Sequence, residues 1–288
     1  MKAFFVKEIK DDWFFFIVAF ASYLTGSFLS KAAVKNWDFV AFFAGIILFY
    51  AMHIAQRYSQ MLGNKNRSRP YKKGESSHKA QHYLPLLVLL AIILTCSYFL
   101  LQRQVLIGIN LIWIGLIFLL TFIQTNNQII HISELIDWLI KSLIISPLLL
   151  VFGVSLQAVP ISSEHYLLAM PLFFLSAASF VALEFPMYTK RPEERKSTLI
   201  PKTGIHQTII LHNILILLSY LSLGAYLYFS GSFHYQWTLL LIPLISLVEM
   251  YQLHRLSLGM KPNYRLIKAT AYLQTLSFIY LFVFNTLI

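Results

Sequence analysis

The chain has 288 residues, 58% of them hydrophobic and 12% charged, with a formal net charge of +11 and a mean hydropathy of +0.66. A soluble domain is nearer half apolar and a quarter charged, so this composition excludes an ordinary soluble globular protein and points to an integral membrane protein. The single cysteine, Cys96, lies in an apolar run and excludes a disulfide framework within the chain.

The opening residues, MKAFFVKEIKDDW, lead into an apolar run without a small-residue cleavage site, and read as a cytosolic start followed by a retained span. A span needs about 20 apolar residues. Nine runs bounded by charge, Pro or Asn approach that length: residues 13–30, 38–56, 83–101, 105–123, 136–154, 166–184, 207–229, 237–253 and 270–288. Helices satisfy their own backbone in lipid. The expected fold class is therefore an all-α membrane protein of about nine transmembrane helices, forming one transmembrane domain over residues 1–288. The two longest polar stretches follow the second and sixth spans, which suggests pseudo-repeat halves of roughly 1–130 and 131–288.

With the amino terminus inside, all of the 23 Lys and Arg except Lys31, Lys35, Arg103 and Lys141 fall on the cytoplasmic side or at its boundary. The positive-inside rule then sets the expected localisation: a multi-pass protein of a bacterial inner (cytoplasmic) membrane, amino terminus cytoplasmic and carboxyl terminus outside.

On the second span His53 and Gln56 lie one helical turn apart, with Arg57 beside them. Such a cluster is costly in lipid, so it faces the bundle interior or water, either as a structural cluster or as the lining of a substrate pocket. Lys141 and Glu249 are intramembrane by the same logic, and Glu249 is expected to pair with His254 or Arg255. The loop after the second span contains NKNRSRPYKKG, with Lys65, Arg67, Arg69, Lys72 and Lys73 and no acid. Two readings stand side by side: an anchor on anionic lipid, at about 1 kcal/mol per charge, or contact with a phosphorylated headgroup through Arg67 or Arg69. The loop after the sixth span reads LEFPMYTKRPEERKSTLIPKTG and mixes acids with bases. There Glu184 either faces solvent and pairs with Lys190 or orients a cation. No Gly-rich phosphate loop, zinc spacing or Ser-His-Asp set stands out, and the basic residues follow topology, so nucleic-acid binding is not expected.

NRSRPYKKGESS and EFPMYTKRPEERKSTL resemble the two polar motifs of the UbiA superfamily of intramembrane prenyltransferases, the family of 4-hydroxybenzoate polyprenyltransferase. The likeness extends to the architecture, nine helices with cytoplasmic loops after helices two and six. It implies transfer of a prenyl group from an isoprenoid diphosphate to an aromatic or lipid-like acceptor. On that resemblance Arg57, Arg67, Arg69, Lys72, Lys190, Arg191 and Lys196 would hold the diphosphate. Glu184 and Tyr188 would orient cations or the acceptor, and His53 and Gln56 would line the pocket. The partners it implies are membrane lipids and an isoprenoid diphosphate, and the cofactor it implies is Mg²⁺. The family holds that metal on helix-two aspartates, whereas MHIAQRYSQMLGNKNR has no acid. The alternative reading is a non-catalytic relative with the same fold that binds lipid or scaffolds a partner.

Overall fold

The computed structural model describes residues 13–33, 37–67, 76–105, 108–125, 134–188 and 199–287. Among them every regular element is helical. Helix α1 is Trp13–Ala33, α2 Phe39–Arg67, α3 Ser76–Gln102 and α4 Ile109–Thr125. Helix α5 runs over Glu134–Leu143, widens into a π turn at Ile144–Leu148 and continues over Leu149–Ser155. Helix α6 is Ser163–Tyr188, α7 Ile205–Ser230, α8 Ile242–Ser257 and α9 Tyr264–Leu287. One-turn helices at Ile200–Thr203 and Phe233–Gln236 and a 3₁₀ turn at Trp237–Leu241 precede α7 and α8.

Eight of these helices are long and apolar enough to cross a membrane, and Ile109–Gln124 is a shorter apolar helix among them. All nine expected runs therefore coincide with described helices, but several ends differ. At about 1.5 Å per residue, the 29 residues of α2 exceed a hydrocarbon core of about 30 Å. Its last turns carry Arg57 to Arg67 beyond the apolar segment. Helix α3 starts at Ser76, seven residues before the expected run at Tyr83. The polar stretch expected between spans two and three is thus largely helical, because a helix does not stop where apolarity stops. Residues 68–75 lie outside the described residues.

Helices α1, α5, α6 and α9 form the centre, with α2, α3 and α4 on one flank and α7 and α8 on the other. Burial follows this order: 72% of the apolar window of α5 is buried, against 22% of that of α3. Close packing of α1 on α5 depends on small residues. A Cβ on Gly26 would stand 1.9 Å from the Leu150 carbonyl oxygen, and one on Gly153 2.4 Å from that of Tyr23. Across the same seam Ser27 Oγ donates to the Gly153 carbonyl at 3.3 Å and Ser30 Oγ to that of Val154 at 3.4 Å. Small residues let helix backbones approach where lipid supplies no hydrophobic drive for association. Because α5 and α9 both pack on α1, the two sequence halves share one core.

At the end opposite the basic segments, Asp38 caps α2. Its Oδ1 accepts from Val40 N–H at 2.9 Å and Ala41 N–H at 3.0 Å. Asp38 also meets Arg103 at 3.6 Å, which ties the α3–α4 turn to the same corner.

Candidate functional site

Helix α2 turns one face toward α4 and α5. Leu48, Phe49 and Met52, with Ile114 and Ile117 of α4 and Phe152 of α5, line a small apolar cavity. The next position along α2 toward the basic end is His53. Its ring stacks on Phe15 at 4.7 Å and on Phe49 at 6.2 Å, and meets Phe16 edge-on at 5.6 Å. Three aromatic neighbours leave it 1% exposed, and neither ring nitrogen has a hydrogen-bond partner among the described residues. One turn on, Gln56 Nε2 donates to the Phe118 carbonyl of α4 at 3.1 Å, while its buried Oε1 has no partner among the described residues.

Cations border this seam. Arg57 and Lys141 both lie within electrostatic reach of His53. Lys141 is paired with Asp137, one turn earlier on α5, at 2.8 Å. At the same end, Gln124 Oε1 of α4 and Trp138 Nε1 of α5 are also buried without partners among the described residues. Each orphaned buried polar atom costs on the order of 1–3 kcal/mol, and native folds leave few of them. These orphaned atoms lie together beside cations at the edge of the small apolar cavity.

Of the other residues singled out in the sequence, Glu184 lies one turn before the end of α6 and bonds to backbone: Leu199 N–H donates to its Oε2 at 2.6 Å. That carboxylate satisfies an N–H at the start of the turn Ile200–Thr203 and so fixes how the chain enters α7. Tyr188 is half-buried against the core. Arg67 closes α2, and nothing of its side chain is described. Arg69, Lys72, Lys190, Arg191 and Lys196 lie outside the described residues.

One expected pairing is overturned. Glu249 meets neither His254 nor Arg255 but lies 3.7 Å from His212 Nε2 of α7, both side chains 0% exposed. Residues five and six positions along a helix point well away from the first, and here His254 is exposed and Arg255 partly so.

The described residues do not fit Mg²⁺. Helix α2 contains no carboxylate, and among the described residues no three His, Cys, Asp or Glu side chains come together as a possible metal site. No family model matches the chain, and no curated protein matches it.

Proposed function

We propose that this protein is a UbiA-type membrane protein that binds an isoprenoid diphosphate at the α2–α4–α5 seam and transfers its prenyl group to an aromatic or lipid-like acceptor. The observation that supports this reading is the order of chemistry along the seam. An apolar cavity between Leu48, Phe49, Met52, Ile114, Ile117 and Phe152 is followed toward the basic end by the unpartnered polar atoms of His53 and Gln56 and then by Arg57. On this reading charge-assisted hydrogen bonds from Arg57 meet the diphosphate charge, with Arg67, Arg69, Lys72, Lys190, Arg191 and Lys196 the further donors that the sequence offers. The prenyl chain follows the apolar wall. Leaving-group charge is met by guanidinium and ammonium donors, and no step is assigned to a metal.

A second reading, a non-catalytic relative that binds the same lipid, draws on the absence of any acid along α2. The test of the first is a titration of the protein in lipid nanodiscs with farnesyl thiodiphosphate, beside a transfer assay over a panel of aromatic acceptors. Binding that weakens at least tenfold in Arg57→Ala and in the Arg69→Ala/Arg191→Ala double variant, together with product formation, supports transfer. Binding without product supports the non-catalytic relative. Equal binding in all three proteins overturns both.

A further inference from the structure

The flank formed by α7 and α8 contains a second polar centre, away from the seam described above and independent of its assignment. Glu249 of α8 and His212 of α7 are both fully buried, with Nε2 and Oε1 3.7 Å apart. That is beyond hydrogen-bond length, and His212 Nε2, Glu249 Oε1 and Glu249 Oε2 all lack partners among the described residues. His212 Nδ1 meets Asn213 Oδ1 at 3.1 Å. With Nδ1 donating there, Nε2 is the accepting nitrogen of the neutral ring. Three acceptor atoms then face one another with no hydrogen between them.

The neighbouring hydroxyl and amide groups do not supply it. Tyr220 Oη meets Ser246 Oγ at 2.6 Å, Ser246 Oγ donates to Gln274 Oε1 at 2.9 Å, and Gln274 Nε2 donates to Ser179 Oγ at 3.0 Å. Ser179 Oγ in turn meets Thr275 Oγ1 at 2.8 Å. This chain crosses α7, α8, α9 and α6 and ends on the Ala271 carbonyl, which accepts from Ser179 Oγ at 2.8 Å. Gln274 lies alongside Glu249 without reaching hydrogen-bond geometry. Among the described residues the titratable groups that interact with Glu249 are His212 and Tyr220, both from α7, and from α9 the neutral Gln274 lies beside it.

An isolated carboxylate in this setting bears an uncompensated charge in a low-dielectric core. One proton added to the pair restores zero net charge, whether it rests on Oε1 or on Nε2. Toward the basic end of α7, Thr208 lies one turn from His212 on the same face and is buried; its hydroxyl donates to the Gly204 carbonyl at 2.8 Å. Its Oγ1 meets Oγ1 of Thr203 at 2.8 Å, and Thr203 is partly exposed beside Lys202 at the basic end.

We propose that His212 and Glu249 form an intramembrane proton-binding site, which exchanges one proton with the basic end of the bundle past Thr208 and Thr203. The proton comes from bulk water and adds between Glu249 Oε1 and His212 Nε2. No other bond forms or breaks, and no co-reactant is required.

Infrared difference spectra of the full-length protein in nanodiscs, between acid and alkaline buffer, read this directly. The expected result is a carboxylic-acid C=O band that titrates, shifts in D₂O and disappears in the isosteric variant Glu249→Gln. His212→Gln displaces its midpoint at least tenfold in proton concentration, and Thr208→Val slows its hydrogen–deuterium exchange at least tenfold. If Glu249→Gln does not fold, the His212→Gln and Thr208→Val effects still decide. A band indifferent to pH, one retained in Glu249→Gln, or midpoint and exchange rates unchanged in the other two variants overturns the proposal. So does loss of the band on adding sodium chloride at constant pH, which would make the pair a metal-cation site.

Discussion

His53 stacks on Phe15 with the ring planes 21° apart and the centroids at 4.7 Å, and both of its nitrogens are buried without a hydrogen-bond partner among the described residues. Aromatic stacking holds the imidazole in place, and the unsatisfied nitrogens set a cost that a ligand bound as proposed would offset. His53→Phe keeps the stacking and removes the cost. The expected outcome is a melting temperature equal to or above that of the unchanged protein, with stability gained on the order of 1 kcal/mol, and weaker binding of farnesyl thiodiphosphate. A variant that melts lower and binds normally would make His53 a packing residue.

The α1–α5 seam gives a prediction that does not depend on function. Gly26→Ala and Gly153→Ala each place a methyl group against backbone, which cannot rotate away. Each is expected to destabilise the protein by about 1–3 kcal/mol. Gly115 and Gly224 have open space where a Cβ would go, so Gly→Ala at these helical positions is expected to gain about 0.5–1 kcal/mol. Thermal unfolding in one detergent, followed by circular dichroism, compares all four. Equal losses at the four sites would refute the close-contact argument.

Magnesium gives a further test of the proposed function. With no carboxylate along α2, binding of the thiodiphosphate is expected to be unchanged, within a factor of about two, by a chelator, since Mg²⁺ prefers octahedral oxygen coordination. The measurement is the same titration with and without the chelator. A loss of binding on chelation would reveal a metal site built from residues outside those described.

Orientation is tested by labelling. In a Cys96→Ser background, Ser68→Cys is expected to resist an impermeant thiol reagent in intact cells, while Ser162→Cys, exposed between α5 and α6, is expected to react. The reverse pattern would invert the topology and place the basic segments outside.

The positions of the helices were legible because uninterrupted apolarity over about 20 residues has one solution in lipid. Their ends were not. Helix α9 begins at Tyr264 and carries Arg265 and Lys268 in its first turns, and such snorkelling residues look like loop on a hydropathy scale. The interior placement of His53 and Gln56 could be read from the cost of polar groups in lipid, since both lie on one helix. The His212–Glu249 contact could not: the two residues are on different helices, and spacing rules speak only for one. The bond from Leu199 N–H to Glu184 was equally hidden, because any residue offers a backbone donor.

The π turn at Ile144–Leu148 has a geometric result for the whole bundle. Pro147 has no N–H to give to the helical ladder, and a π turn amounts to one residue more than an α-helix needs there. One residue is a rotation of about 100°. It accompanies a change of partner: Glu134–Leu143 packs on α6, while Leu149–Ser155 packs chiefly on α1. Helix α5 is thus a swivelled strut whose two ends have different addresses. Deleting one residue within the turn would straighten the strut and swing Gly153 away from Tyr23, unpicking the α1 seam without changing a single amino acid in it.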